Sequence, residues 1–373
     1  MDVIAKCLRF LSVLMMLGSA SLHAEVFCVS NVDELRSAII AAAFNGIDDE
    51  IRLRSGHYLL SDSLGYTPAN PQKLIISGGW FALGQVGCFA QGNRPQDTVI
   101  DGGNQPIGIS FNPVGGQVTL SQFSVIQTAS TAIQIQAVPV FPSELLVDRL
   151  YLSNNQGRPL SVRFPELSVS RLPQIVTIRN SVFANNDNPA ATGVVGVTIG
   201  AMEDRVYFLN NTVINNSTAV ITPSPTDTTG LLLDYDDDIS VTGGSILLAN
   251  NIFWNNDLSD VVVPNEANTY LFNSVYQQVL GQFDVERGTG AFDPELNLAN
   301  DFTPRPGSPL IDQGLPEPQS ERGEPPPFLE AWSYGAEDFN GGIFPRVQGD
   351  RVDIGATESP YQDSLFIDRF DTP

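Results

Sequence analysis

Four aspartates stand within five residues of one another in the second half of the chain, and carboxylates at that density could do chemistry. They are Asp234, Asp236, Asp237 and Asp238. Neighbouring carboxylates repel each other unless water solvates them or a cation neutralises them, and Ca²⁺ prefers hard oxygen ligands of this kind. In a strand, Asp234, Asp236 and Asp238 would share one face. The spacing therefore supports two hypotheses, a calcium site built from these three residues and a solvated acidic loop.

The same cluster could supply catalytic carboxylates. Glycosidases use a pair of acids that flank the scissile bond. Asp236 and Asp237 are adjacent, and Asp257 and Asp260 follow in the chain. Because sequence distance does not set the separation of two side chains, Asp236, Asp237 and Asp257 are only weak catalytic candidates. His57, in Ser-Gly-His-Tyr, is more typical of a structural turn than of a general base.

A repeated pattern surrounds these candidates and must position them. Each copy has a β-rich run, a polar pair, a second short apolar run and then Asn-Asn; the copies span residues 145–155, 175–186, 206–216 and 245–256. The terminal asparagines are Asn155, Asn186, Asn216 and Asn256, at offsets of 31, 30 and 40 residues. Periods of this size without helical spacing predict a solenoid of strands. We expect the four asparagines at turns in the left-handed conformation, with each amide paired to the next in a ladder.

The repeats also align two apolar positions, which should form inward stacks because only one face of each strand is buried. The stacks are Val147, Ile178, Phe208 and Leu248, and Leu152, Phe183, Val213 and Phe253. The longest offset contains an insertion at about 219–243 that carries the aspartate cluster. Insertions in solenoids project as loops and often bind ligands.

Different patterns precede and follow the repeats. Residues 30–34 have capping-box chemistry, and apolar spacing predicts an amphipathic helix over 32–44, which we interpret as a cover for the open end of the solenoid. The proline-rich stretch 303–327 cannot supply many ladder hydrogen bonds. It is expected to form an irregular closing segment that runs back along the solenoid.

Residues 1–24 have the charged start, short apolar core and small-residue cleavage region of a secretory signal, with a buried N-terminal helix as the alternative. The apolar run is too short to span a membrane, and no later segment is apolar enough. After cleavage Cys28 and Cys88 remain, and an even pair in an exported chain predicts one disulfide, with two free thiols as the alternative. The predicted division is a signal at 1–24, a β-helix at 25–300, a closing segment at 301–358 and a tail at 359–373.

The formal net charge of −23 excludes nucleic acid and anionic membrane surfaces as partners. It also disfavours polyanionic glycans unless cations bridge them. The simplest interpretation of the acidity is solubility of an exported protein.

Several motifs resemble one family. The repeats look like right-handed parallel β-helix proteins of the pectin-lyase-like class. SPLIDQG at 308–314 and VDIGATE at 352–358 resemble the closing region of secreted bacterial β-helix proteins of the choice-of-anchor type, and residues 33–58 are similar to the first segment of that group. LFIDRF at 365–370 resembles a tail found on exported proteins of Gram-negative bacteria. The resemblance implies an all-β, right-handed parallel β-helix and a secreted or cell-surface location.

The family's hydrolase and lyase patterns are incomplete in this chain. An Asp-Asp stands at 236–237, but the sequence has no Gly-His-Gly and no Arg-x-Lys, and its single lysine after the signal, Lys73, precedes the repeats. We therefore expect a non-catalytic protein that binds a polysaccharide or another cell-envelope component. The alternative is a polysaccharide lyase or glycoside hydrolase with an acidic, calcium-assisted site. The sequence establishes no cofactor and offers calcium as a candidate, and nothing in it indicates an oligomeric state.

Overall fold

Short β-rich runs separated by tight turns form parallel strands. The computed structural model describes residues 24–83, 86–92, 94–137, 141–164, 172–200, 204–222, 224, 227–235, 244–263, 268–281, 283, 285–287, 298–316, 333–341, 345–348 and 351–361. This part of the chain is mostly β and forms three parallel sheets in a solenoid-like arrangement, which is compatible with a parallel β-helix. The predicted solenoid of strands is confirmed at that level.

The strands are numbered in chain order and belong to three sheets. Sheet A contains β1 Glu25–Val29, β2 Asp49–Arg54, β5 Gln72–Leu83, β6 Val86–Gln91, β9 Gly116–Ser121, β12 Ser143–Asp148, β15 Gln174–Arg179, β18 Arg205–Leu209, β21 Ser245–Ala249, β24 Asn268–Phe272 and β26 Val285–Arg287. Sheet B contains β3 Gly56–Leu59, β7 Thr98–Asp101, β10 Ser124–Ile126, β13 Tyr151–Ser153, β16 Val182–Ala184, β19 Thr212–Ile214 and β22 Ile252–Trp254. Sheet C contains β4 Leu64–Tyr66, β8 Ile107–Phe111, β11 Thr131–Gln136, β14 Leu160–Arg163, β17 Val195–Ile199, β20 Thr228–Tyr235, β23 Ser259–Val262 and β25 Val279–Leu280.

The core consists of side chains stacked from coil to coil. Both predicted stacks are in register across the parallel strands, and all eight side chains are fully buried. The ring of Phe208 lies 6.3 Å from that of Phe183 and 5.8 Å from that of Phe253, measured between centroids. Burying each such side chain contributes roughly 1.5–3 kcal/mol. The predicted apolar alignment is confirmed.

The helix predicted near the start is present as α1, Val32–Phe44. Asn31 caps it by accepting a hydrogen bond from the Glu34 N–H at 3.0 Å, and the Glu34 carboxylate accepts one from the Ser30 N–H at 2.7 Å. The first bond satisfies an amide that the first turn of a helix leaves unpaired, and the second fixes the residue that precedes the cap. One face, which includes Leu35 and Ile39, joins the hydrophobic core.

Cys28 and Cys88 form the predicted disulfide, with their Cα atoms 5.7 Å apart. The bridge joins β1 to β6, the strand that pairs antiparallel with the extension of β5. It closes a loop across 60 residues of sequence. The alternative of two free thiols is therefore wrong.

The described part of the closing segment lies against the outside of the solenoid. Its apolar side chains include Leu310, Phe339 and Ile354, and they form a second core with outward-facing residues of β16, β19 and β22. Tyr334 and Val352 join a third apolar cluster with residues of β18 and β21. The segment is thus packed against the coils. The contact is close at Gly355, which adopts φ +107°, because a Cβ atom added there would lie 2.6 Å from the Ile252 side chain.

A group of buried charges organises the end of this segment. Arg346 is buried within 3.2 Å of the Glu358 carboxylate and donates hydrogen bonds to the carbonyls of Asp353, Gly355 and Ala356. Burial raises the pKa of Glu358 to about 8, against the opposing attraction of Arg346. It raises the pKa of Asp353 to about 6 in the same way. For both carboxyl groups the effect of burial on the pKa is larger than the opposing attraction of the single Arg346 guanidinium.

Several predicted features lie outside the described residues. They include the signal up to residue 23, residues 317–332 of the proline-rich stretch and residues 362–373 of the tail. The division of the chain into four segments stays a prediction. Within the part that the structure describes, no helix has the length and apolar character needed to cross a membrane.

Candidate functional site

Of the aspartate cluster, the structure describes Asp234. It lies near the end of β20 on the outer face of sheet C, in register with Thr198, and its side chain is exposed. Burial lowers the pKa of the Arg158 guanidinium, and the negative charge of the nearby Asp234 carboxylate partly opposes that fall. Asp234 thus faces a cation. The predicted partners Asp236, Asp237 and Asp238 lie outside the described residues. Elsewhere in the described chain, no three His, Cys, Asp or Glu residues converge as metal ligands.

Asp257 is exposed at the corner before β23, where its carboxylate accepts a hydrogen bond from the Thr218 N–H at 2.9 Å. Ser259, two residues later, pairs with Thr228 at the start of β20, and Asp234 lies six residues further along that strand. Six extended residues span about 20 Å. Paired glycosidase carboxylates lie at most about 9.5 Å apart, so Asp234 and Asp257 cannot act as such a pair.

The four repeat asparagines form a continuous buried hydrogen-bond ladder. The side-chain amide of Asn155 donates to Asn186 Oδ1 at 3.2 Å, Asn186 donates to Asn216 at 3.0 Å, and Asn216 donates to Asn256 at 2.9 Å. Each Oδ1 also accepts from the backbone N–H one coil away, as Asn216 does from Asn186 at 3.0 Å. The ladder pins the register of successive coils, because a buried amide without partners would be costly.

The left-handed conformation belongs to the residue before each ladder asparagine. Positive φ occurs at Asn154, Asn185, Asn215 and Asn255, at 54°, 56°, 57° and 52°. The prediction that Asn155, Asn186, Asn216 and Asn256 themselves adopt it was therefore wrong. The physical reason is a division of roles: the first residue turns the chain at the surface, and the second directs its amide inward to the ladder.

The ladder runs in one direction and ends on a carboxylate. Asn256 Nδ2 donates to Asp260 Oδ1 at 2.8 Å, and Asp260 Oδ2 accepts from the N–H groups of Gln277 and Gln278. Burial raises the pKa of Asp260, and these hydrogen bonds oppose the rise. Asp260 thus terminates the ladder, and its oxygens are already occupied by protein donors.

A second ladder, which the sequence analysis did not identify, stands at the corner between sheets A and B. The Ser181 N–H donates to Asn211 Oδ1 at 3.1 Å, the Asn211 N–H donates to Asn251 Oδ1 at 2.9 Å, and the Asn251 N–H donates to Ser274 Oγ at 3.1 Å. The signal was present as the polar pair inside each repeat. Both rows of buried ladder residues are therefore structural.

A surface groove of about 510 Å³ lies at the corner where the chain enters sheet A. Three prolines line it at equivalent places in different coils, Pro71, Pro142 and Pro173. Each proline immediately precedes the first residue of a sheet A strand (β5, β12 or β15). A proline at that place costs no ladder hydrogen bond. This recurrence is the sequence signal that could have identified the groove. We call it the corner groove.

Polar side chains from adjacent strands form one wall of the corner groove. Lys73, Gln117 and Glu144 share one register on β5, β9 and β12, so neighbouring side chains stand about 4.8 Å apart. Lys73 and Glu144 are exposed. Asp48 adjoins the row, where its carboxylate accepts a hydrogen bond from the Lys73 N–H at 2.8 Å. The wall therefore offers an ammonium, an amide and two carboxylates in sequence.

Unpaired acceptors lie beneath this wall. Gln72 and Ser143 are buried at 7% and 6% exposure, and both line the groove. Gln72 Oε1 and Ser143 Oγ have no hydrogen-bond partner in the described structure, although the amide of Gln72 donates to Tyr66 Oη at 2.9 Å. Both side chains alternate with the exposed residues Lys73 and Glu144 and point into the protein, so their oxygens are out of reach of a ligand. The corner groove therefore offers a ligand its outward row of ammonium, amide and carboxylate groups, which suits a molecule rich in hydroxyl groups.

Comparison with known proteins adds no identification. No protein-family profile matches the chain, and no match is found among curated proteins.

Proposed function

We propose that this protein binds a neutral glycan in the corner groove and acts without catalysing a reaction on it. The observation that carries the proposal is the outward row of Lys73, Gln117 and Glu144, which share one register along the wall of the corner groove. Sugar hydroxyls both donate and accept hydrogen bonds, so one chain of pyranose rings can use amide, ammonium and carboxylate groups in succession. A site of a few placed polar groups in a concave surface is typical of small-ligand binding.

Charge supports a neutral polymer. The protein carries a formal net charge of −23, and the groove wall has two carboxylates, Asp48 and Glu144, against the single ammonium of Lys73. A polyanion would be repelled by this field. A neutral chain pays no such electrostatic cost.

The spacing of the carboxylates supports binding without catalysis. Asp48 and Glu144 are separated by three strand spacings along the row, so their Cα atoms lie about 14 Å apart. The acids of glycosidases lie at most about 9.5 Å apart. The groove therefore lacks a matched pair for acid–base or nucleophilic attack among its described residues.

The finer architecture belongs to the same proposal. We infer a right-handed β-helix whose open end is covered by α1 and whose signal at residues 1–24 directs it out of a Gram-negative cell. The resemblance to choice-of-anchor β-helix proteins and the apolar burial of Leu35 and Ile39 support this interpretation. Secretion or display at the cell surface would place the groove among envelope or extracellular polysaccharides. Calcium at Asp234, Asp236 and Asp238 stays a hypothesis.

The function is tested with purified residues 25–373. The protein is incubated with xylan, galactomannan, mixed-linkage β-glucan and polygalacturonate, in calcium or chelator, and new reducing ends and unsaturated products are measured. In parallel, retention on each immobilised polymer is recorded. We expect retention on one neutral polymer and no product. Product from any polymer would contradict binding without catalysis, and retention on polygalacturonate alone would contradict the choice of a neutral ligand.

A pair of variants localises the binding. Gln117→Ala with Glu144→Ala removes two groups from the groove wall, and we expect retention to weaken at least tenfold. The matched control, Gln134→Ala with Asp62→Ala, removes the same chemical groups outside the groove. It should leave retention unchanged. Equal weakening in both variants would show that the effect is not specific to the groove.

A further inference from the structure

Left-handed asparagines occupy two different corners of the same coils. Between sheets A and B they are Asn180, Asn210, Asn250 and Asn273, with φ from 42° to 59°. Between sheets B and C they are Asn154, Asn185, Asn215 and Asn255, with φ from 52° to 57°. In both places a strand ends, one left-handed residue turns the chain, and a buried ladder residue follows. We call the first set the covered row and the second the exposed row.

The covered row binds main-chain groups of the closing segment. Asn180 Nδ2 donates to the Tyr334 carbonyl at 2.6 Å, Asn210 Nδ2 to the Asp353 carbonyl at 3.2 Å, and Asn273 Nδ2 to the Gln313 carbonyl at 2.7 Å. Asn250 makes two such bonds with one residue: its amide donates to the Leu315 carbonyl at 3.0 Å, and its Oδ1 accepts from the Leu315 N–H at 2.6 Å. A row of turn asparagines in this protein therefore serves as a docking strip for polypeptide backbone.

The exposed row has the same chemistry and faces solvent. Asn154, Asn185 and Asn255 are exposed, and Asn215 is half-buried. Asn255 Nδ2 donates to Asn215 Oδ1 at 2.7 Å, so these two amides are aligned along the coils. No hydrogen bond to a polypeptide segment outside the coils is found for these four side chains in the described structure. The row is thus presented like its covered counterpart, with its outer side open.

The surroundings of the exposed row carry negative charge. Gln156, Asp187 and Ser217 follow the row in register on successive coils, and Asp257 continues it on the next. All four are exposed. The nearest cation along the chain, Arg158, is turned away, with its guanidinium donating to the Thr192 carbonyl. A partner that lies along the row would therefore meet carboxylates.

We propose that the exposed row docks an extended, basic polypeptide segment of a partner protein. The asparagine amides would bind its main chain as Asn250 binds Leu315, and Asp187 and Asp257 would select for lysine or arginine. Four coils spaced about 4.8 Å apart cover about 14 Å, the length of roughly four to five extended residues. Main-chain pairing gives affinity with little dependence on the sequence of the partner, and the carboxylates supply the preference for basic side chains.

The test uses glycine, which keeps a positive φ while removing the amide. Binding of a fluorescein-labelled decapeptide of alternating lysine and serine is measured by anisotropy on residues 25–373, with the glutamate–serine peptide as the comparison. The variant Asn185→Gly, Asn215→Gly, Asn255→Gly leaves the net charge unchanged. We expect it to bind the basic peptide at least tenfold more weakly, with an unchanged melting temperature. Asp187→Asn should weaken binding about threefold and only at low salt.

Equal affinity of the wild type and the triple glycine variant would overturn the proposal, because attraction would then come from diffuse charge alone. Absence of binding to the wild type would overturn it too, as would row-dependent binding of a neutral oligosaccharide in place of peptide. If the triple variant does not fold, Asn185→Gly alone decides the matter. It should weaken peptide binding two- to threefold, and an unchanged affinity would be contrary to the proposal.

Discussion

The buried acid Glu358 makes a specific prediction about stability and pH. In the unfolded chain this carboxyl ionises near pH 4.5, whereas in the folded protein burial raises its pKa to about 8. Below pH 4.5 the Glu358 carboxyl holds its proton in both the folded and the unfolded protein, so it does not reduce the stability of the fold. Between those pH values the unfolded state loses the proton first, and stability falls as pH rises. At 1.36 kcal/mol per pH unit the loss is at most roughly 5 kcal/mol.

The melting temperature is the direct measure of this loss. For roughly 350 residues with about 2.1 cal/mol/K of unfolding entropy per residue, 5 kcal/mol corresponds to about 7 °C. Glu358→Gln keeps the shape of the protonated acid and cannot ionise, and its Oε1 can still accept from the Asp353 N–H and approach Arg346. Other acids are common to both proteins, so the difference between the two melting curves isolates Glu358.

We expect the melting temperature of the wild type to fall relative to that of Glu358→Gln by up to about 7 °C between pH 4.5 and 8.5. Differential scanning calorimetry of residues 25–373 at half-unit steps of pH gives both curves. Parallel curves would refute the reasoning, because they would mean that Glu358 ionises equally easily in the folded and unfolded states. A relative rise would reverse the sign and assign control to the ion pair with Arg346.

Three further predictions concern the architecture. Replacing Cys28 and Cys88 by serine should lower the free energy of unfolding by about 4 kcal/mol, measured in urea, given the 60-residue separation of the cysteines; an unchanged midpoint in urea would be at odds with this. Asn216→Ala removes the acceptor of the buried Asn186 N–H and the amide that donates to the Phe183 carbonyl and to Asn256 Oδ1, and it should cost about 2–4 kcal/mol in the same measurement. A cost under 0.5 kcal/mol would show that the ladder is dispensable. Gly355→Ala places a methyl group against Ile252 and forces alanine into a positive φ, so it should loosen the closing segment. We expect faster proteolysis of that segment than in the wild type, and identical cleavage would argue against the tight contact.

Repetition explains why much of the fold was predictable. Because the same face is buried in every coil, Phe183 and Phe253 could be aligned from spacing alone, and the ladder position of Asn216 followed from the same alignment. The capping chemistry at residues 30–34 and the cysteine pair were equally local or countable signals. The left-handed turn was misplaced by one residue because both positions of an Asn-Asn pair suit a turn.

The remaining features depend on contacts that no local pattern contains. The recurring prolines mark the place of the corner groove, but its wall joins residues such as Lys73 and Glu144, which are far apart in sequence. The docking of Asp353 on Asn210 spans 143 residues. The burial of the acid Glu358 could not be foreseen, because acidic residues are ordinarily exposed and only the packing of the closing segment removes this one from water.

Affinity electrophoresis tests the central claim, glycan binding in the corner groove, most directly. Residues 25–373, the groove variant Gln117→Ala with Glu144→Ala, and the control variant Gln134→Ala with Asp62→Ala are run through gels that contain each neutral polymer. We expect one polymer to slow the wild type and the control variant equally and to leave the groove variant at its polymer-free mobility. Equal slowing of all three proteins, or slowing of none by any polymer, would contradict the claim.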